Sequence, residues 1–278
     1  MRVSSKLQIS LVAGILIALG LGLTLYKKIE LGFPLLPGQR QAVWTLESKI
    51  SFKPVGGPVE ISLALPEPEA GWVVLDEHFA SSGFGFSTQE EQGERYAQWN
   101  RESLNRTTTL YYKLEIYHAG QFDLGASPIP EITPPELTPD RLAAMERVVA
   151  SLRQKASDPT SFTTLLLLQL VQGQMDQDTA FLFGDREESR LSVVMDVLAF
   201  AGISAQPVKG IFLEDGRRRQ QMDTLVEIYD GNHWQLFDPK TAQPGLPDNF
   251  FVWQRGDRSV LDVVGGKSSQ LEFAIVEN

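Results

Sequence analysis

The sequence predicts an α+β protein: an N-terminal apolar helix, a small β-sandwich, and a C-terminal domain with helices packed on an antiparallel sheet. Three observations carry that reading. Leu7 to Tyr26 contains no charged residue. From about Val43 to Phe122 apolar residues alternate in short runs separated by Gly and Pro, the signature of several short strands. Past Pro139 helical spacing comes first and strands follow, the order expected of an α+β domain. The corresponding division is an anchor at 1–28, a β-sandwich domain at 43–126, a Pro-rich linker at 127–140 and the C-terminal domain at 141–278.

The anchor comes first. "LQISLVAGILIALGLGLTLY" is 20 residues long; at 1.5 Å per residue it spans roughly 30 Å, the hydrocarbon thickness of a bilayer. A cleaved signal peptide would have a shorter apolar stretch and a small-x-small cleavage site. The segment instead runs into Tyr26, Lys27 and Lys28, so it reads as an uncleaved anchor. Arg2 and Lys6 nearly balance those lysines, so the positive-inside rule barely orients the helix. A short tail most simply stays in the cytoplasm. The expectation is a single-pass protein of a bacterial inner membrane with its soluble part in the periplasm.

In the sandwich region "WTLESKISF", "PVEISLAL", "GWVVLDEHF" and "TTTLYYKLEIY" read as strands, and "SSGFGFSTQEEQGERYAQWN" has the Gly-rich turn of a further hairpin. His78 and His118 sit in strand-like runs without a partner motif and read as structural. "SPIPEITPPELTPD" carries five prolines in fourteen residues, a stiff, extended boundary segment. It ends in a helix start, with Thr138 as cap and Pro139 at the first helical position. Asp158-Pro159 repeats that signal before "TSFTTLLLLQLVQGQ", a helix apolar enough to be largely buried. "RLSVVMDVLAFAGI" is the third helix, with Leu191, Val194, Leu198 and Ala201 on one side and Gly202 as its stop. "AQPVKGIFLEDG", "DTLVEIY" and "HWQLF" follow as strands, and "NFFVW", "SVLDVV" and "LEFAIV" add three more.

Composition limits function. Thirty-five acids against 25 bases leave a formal charge of -10, which argues against nucleic acid as a partner. The one dense basic run, Arg217 to Arg219, reads as a solvated hairpin tip rather than a phosphate site. The chain has no cysteine, which removes disulfides, thiolate metal sites and a cysteine nucleophile together. No cofactor is implied.

Two phrases, "LAFAGISAQPVKG" and "DTLVEIYDGNHWQLFDPKT", resemble the transglutaminase-like branch of the papain-type fold, over about Pro159 to Gln243. The resemblance implies a triad. A cysteine opens the buried helix, a histidine lies on a strand, and an aspartate on the next strand orients it. Those positions fall on Glu187, Asp223 and Asp238, so the aspartate alone is kept. A conserved tryptophan two residues after the histidine is Leu225 here. Ser189 could stand in for the thiol only with a base, and His233 lies at a turn, away from the matching strand position. No residue is therefore expected to be catalytic.

With "LGFPLLPGQ" and "WTLESKISF" added, nearly the whole chain resembles a bacterial membrane family. That family joins an N-terminal transmembrane helix, a β-rich segment and an inactive transglutaminase-like domain, usually followed by seven transmembrane helices. The sequence stops at Asn278 and departs from the pattern there. Members are linked with an ATP-grasp peptide ligase and a retropepsin-like protease, which implies a sensor or scaffold in a cell-envelope peptide system, bound to a peptide or a membrane-protein partner.

If Glu187, Asp223 and Asp238 converge, three carboxylates need compensation. Arg186 and Arg190 flank the first and suit an internal salt-bridge network. Oxygen ligands alone would suit a hard cation such as Ca²⁺. A groove that holds peptides without a nucleophile is the third option, and a hydrolase or transferase working through the acid cluster is the rival from another class.

Overall fold

The computed structural model describes residues 13–24, 26, 42–67, 71–80, 82–91, 93–119, 128–184 and 190–278. Residues 13–24 form a helix, α1, whose apolar side chains, Leu16 and Ile17 among them, are more than half exposed. The rest of the expected Leu7–Tyr26 span, except helical Tyr26, lies outside the described residues. Among the described residues no helix is long and apolar enough to cross a membrane.

Two antiparallel four-stranded sheets form the sandwich. One has the order β12-β1-β6-β3 and the other β11-β2-β5-β4. The strands are β1 (Val43–Pro54), β2 (Val59–Ala64), β3 (Trp72–Ala80), β4 (Gly85–Glu91), β5 (Glu94–Arg101), β6 (Thr108–His118), β11 (Leu261–Val264) and β12 (Gly266–Glu277). Their apolar residues alternate, so Leu46, Ile50, Ile61, Leu63, Trp99, Leu110, Leu114 and Phe273 meet in one buried core between the sheets. Phe79 stacks on Tyr112 at 4.9 Å. Glu77 of one sheet accepts from the Tyr112 hydroxyl at 2.7 Å and from Arg95 of the other sheet at 2.8 Å.

The end of the chain corrects the expected division at 141. The last two strands read as part of the C-terminal domain, yet β12 pairs along the whole of β1, from Trp44↔Glu277 to Pro54↔Gly266, and β11 pairs with β2. Each closes one edge of a sandwich sheet. The C-terminal domain is thus inserted between strands of the sandwich.

The helices are α2 (Pro139–Arg153), α3 (Pro159–Val171), α4 (Gln177–Phe183) and α5 (Arg190–Phe200). Pro139 opens α2, but Thr138 makes no side-chain capping bond. Asp158 does cap α3, accepting from the Ser161 amide while the Ser161 hydroxyl returns to the Asp158 amide, a reciprocal box. Gly202 ends α5 at φ +68°, with Ile203 N–H on Leu198 O and Gly202 N–H on Ala199 O, the paired bonds of a Schellman stop.

A third antiparallel sheet has the order β10-β7-β8-β9, built from β7 (Ala205–Phe212), β8 (Asp223–Tyr229), β9 (Trp234–Phe237) and β10 (Phe250–Arg255). Alternation along β8 sorts its faces. Val226 and Ile228 join Met145, Leu166, Val194 and Leu198 in the helical core. Leu225 joins Val208, Leu236, Phe250 and Val252 on the other face. Glu227 follows Leu225 on that face, 1% exposed, where Gln206 donates at 2.8 Å and Arg255 at 2.9 Å. Burial pushes the Glu227 carboxyl above the ordinary carboxylate range and pulls the Arg255 guanidinium down to about 10. The pair and its glutamine tie β7, β8 and β10 together. Trp253 then locks the sheet to the sandwich: its indole donates to Ala64 O at 2.8 Å, and its ring packs on Phe273 at 5.1 Å.

Candidate functional site

The site expected from the sequence lies where β8 begins, β9 ends and α5 starts. Asp223 is the first residue of β8 and pairs in register with Gly210 of β7. Gly210 has no room for a side chain, because a Cβ there would sit 2.4 Å from Phe251 O and 2.5 Å from the Phe250 ring. That close approach fixes the backbone under Asp223.

Asp238 follows β9 and is occupied by its own turn. Its carboxylate accepts from the Lys240 amide at 2.8 Å and from the Thr241 hydroxyl at 3.1 Å. Its carbonyl accepts from the Ala242 amide at 2.8 Å. An aspartate bonded this way stabilises the Asp-Pro-Lys-Thr turn.

Lys240, on the same turn, carries its ammonium back to the Asp223 carboxylate in a direct ion pair. Sequence reasoning missed it. The flanking arginines drew attention instead, and nothing in the spacing of Asp223 and Lys240 signals a contact across the turn. The single lysine thus touches both acids, one through its backbone and one through its side chain. The Asp223 carboxylate is thereby held by an ammonium and not by an imidazole.

Glu187, Arg186 and Ser189 lie outside the described residues. Arg190, the first residue of α5, lines an apolar cavity of about 350 Å³ together with Leu170, Val171, Leu191, Val194, Pro239 and Lys240. The Arg190 Nε is enclosed and has no hydrogen-bond partner among the described residues. Leu225, expected beside the cleft, is 1% exposed and is core; the strand alternation turns it away from the helices. His233 stands at the β8–β9 turn, 64% exposed, with its ring 3.2 Å from Asp230. The Asp230 carboxylate also accepts from the amides of Asn232 and His233 at 2.8 and 2.9 Å, which holds it below the usual carboxylate range. That histidine serves its turn. Of the other two, His78 pairs with Asp76 at 2.7 Å and His118 packs edge-on to Trp72 at 4.8 Å. Among the described residues no three His, Asp or Glu side chains group closely enough to hold a metal ion.

On the other side of Lys240 lies a larger groove, about 940 Å³, walled by the β7–β8 connection and ending at Asp223 and Lys240. Lys240 therefore stands between an apolar cavity against α5 and a polar groove against the loop.

Residues 26–186, more than half of the chain, match the family described as inactive transglutaminase fused to 7 transmembrane helices. The match ends just before α5, so Asp223 and Asp238 lie beyond it. A solved structure from Cytophaga hutchinsonii, provisionally assigned as a cysteine protease, shares the fold at a TM-score of 0.54 and 13% identity, over 86% of this chain and 91% of that one. No curated protein matches.

Proposed function

This chain belongs to the family of inactive transglutaminases fused to seven transmembrane helices, and we propose that it is a membrane-anchored pseudoenzyme whose transglutaminase-like domain binds rather than reacts. In this reading Glu187, Asp223 and Asp238 are the degenerate triad positions. The observation that carries it is the Asp223–Lys240 ion pair, which fills the histidine position with a neutralised carboxylate. The absence of any cysteine removes the nucleophile that such a site would activate.

The module acts as a sensor or scaffold for a peptide or a membrane-protein partner in a cell-envelope peptide system. Two features support this. The apolar cavity at the head of α5 and the polar groove beyond Lys240 are open recesses, not a filled core. The exposed apolar side chains of α1 suit an apolar surrounding such as lipid, which favours a single-pass anchor, and the proposal sets that anchor in the bacterial inner membrane with the remaining chain in the periplasm.

The test is photo-crosslinking in intact cells with the reactive residue at Leu191, on the rim of the apolar cavity. The reading expects capture of a peptide or membrane-protein partner that a reactive residue at the distant Val264 does not capture. Equal capture from both positions would overturn it. Protease accessibility of the same tagged chain in spheroplasts checks the periplasmic placement: digestion before lysis is expected, and protection until lysis would contradict it.

A further inference from the structure

The Arg217–Arg219 run is exposed on the β7–β8 connection, as its sequence suggests, but the backbone around it is not free. The β7–β8 connection folds back along the outer edge of β12. Gly216 N–H bonds Ile275 O at 3.1 Å, Ile275 N–H bonds Arg217 O at 2.7 Å, and Gln220 and Phe273 exchange both backbone bonds at 2.9 and 2.8 Å. The Glu277 amide reaches the Asp215 carboxylate at 3.0 Å, and the Gln220 side-chain amide returns to Phe212 O at 2.8 Å. These bonds cover an exposed sheet edge and hold the arginine backbone in one conformation.

That pinned loop is one wall of the groove of about 940 Å³ that runs to Asp223 and Lys240. Its charges are unevenly satisfied. Arg217 pairs with Glu214 through a 2.7 Å Nε bond, and Lys240 pairs with Asp223. Arg218 and Arg219 line the same groove and have no acidic partner among the described residues. In a chain of formal charge -10, two adjacent guanidiniums without an acidic partner among the described residues make a local positive field that attracts an oxyanion. The guanidinium fork suits a carboxylate.

We propose that this groove binds an acidic peptide segment, with side-chain carboxylates on Arg218 and Arg219 and the peptide backbone running toward the Asp223–Lys240 pair. The groove's volume is in the range of sites that hold a multi-residue ligand, far larger than a single phosphate needs. The proposal rests on the reading of this domain as a non-catalytic binding module and names its ligand class.

The test uses the full chain in uncharged detergent micelles and the fluorescence anisotropy of a labelled Glu-Gly repeat peptide. A Gln-Gly repeat is the control. The acidic peptide is expected to bind at least about tenfold more tightly than the control. R218A/R219A is expected to remove that difference without changing the melting temperature, since both side chains are exposed. Added salt should weaken the acidic peptide selectively. Equal binding of the two peptides, an unaltered R218A/R219A chain, or displacement by inorganic polyphosphate at lower charge concentration than by the Glu-Gly peptide would each overturn the proposal. If the neutral peptide binds and L191D abolishes that binding, the groove is refuted while the binding-module reading stands. If peptides are instead cleaved or joined, both fall.

Discussion

Arg255→Met gives the most quantitative handle on the fold beneath the site. The substitution keeps the aliphatic stem but removes the guanidinium that donates to Glu227 at 2.9 Å. Glu227 is 1% exposed, and Gln206 is the donor left to it. Breaking one side of a buried pair typically costs about 3–5 kcal/mol. Glu227 can escape part of that by taking up a proton, because burial already raises its carboxyl to about 7. The expected loss near pH 8 is therefore about 3 kcal/mol, toward the lower end of the range, or roughly 6–12 °C in melting temperature for a domain of this size.

The pH dependence separates charge from packing. The folded carboxyl holds its proton more firmly than the unfolded one, whose ordinary value is 4.5. Its favourable contribution is complete below that value and is lost as pH rises through about 7. Without Arg255 the folded carboxyl moves higher still, so the difference between R255M and the parent should be small at about pH 5 and grow toward pH 8. E227Q/R255M should lose the slope and recover much of the stability, since a neutral pair leaves no buried charge. Urea denaturation of the full chain in detergent, followed by tryptophan fluorescence at both pH values, measures all four corners of the cycle. An R255M loss below about 1 kcal/mol at pH 8, or one that is the same at both pH values, would refute the reasoning.

Three further predictions follow from single contacts. Gly210→Ala places a Cβ 2.4 Å from Phe251 O, so about 1–3 kcal/mol of overpacking cost is expected, and an unchanged denaturation midpoint would show that the sheet relaxes freely. Removal of residues 261–278 takes an edge strand from each sandwich sheet and deletes the wholly buried Phe273 and Ile275 from the core they share with Leu46 and Ile50; loss of the cooperative transition and of near-ultraviolet ellipticity is expected, and a chain that still melts cooperatively at the parent temperature would contradict the pairing. The Ser161 amide, with the Ser161 and Ser157 hydroxyls, holds the Asp158 carboxyl below its ordinary 3.8. Its stabilisation is present above that value and fades as pH falls through the lowered one, so the melting-temperature gap between parent and D158A should narrow in acid, and a gap independent of pH would count against the cap.

Local signals predicted local structure well. The alternation of "WTLESKISF" and "DTLVEIY" marked β1 and β8, Asp158 and Pro159 marked the start of α3, and Gly202 marked the end of α5. Thr138 shows the limit of such signals, since Pro139 begins α2 without any hydroxyl bond. The seven-residue α4 is too short to show a period. What the sequence did not disclose is non-local. Nothing in "LEFAIV" says that it pairs with β1 rather than with its neighbours, because alternation specifies a face and not a partner. The exposure of Arg217 to Arg219 was legible, but the pinning of their connection was not, as the strand that holds it is β12. At the site, Asp223 and Asp238 could be named from the sequence, and the lysine that pairs with Asp223 could not. That contact depends on the shape of a turn set by Asp238 rather than on a spacing.

The central claim is that the old catalytic frame now binds without reacting. The most direct measurement is mass spectrometry of a peptide library containing Gln, Lys, Asp and Glu after long incubation with the full chain in micelles, scored for cleavage, deamidation and isopeptide formation. No product above the protein-free control is expected. Any of these products, formed by the parent chain and lost on K240M or D238A, would contradict it.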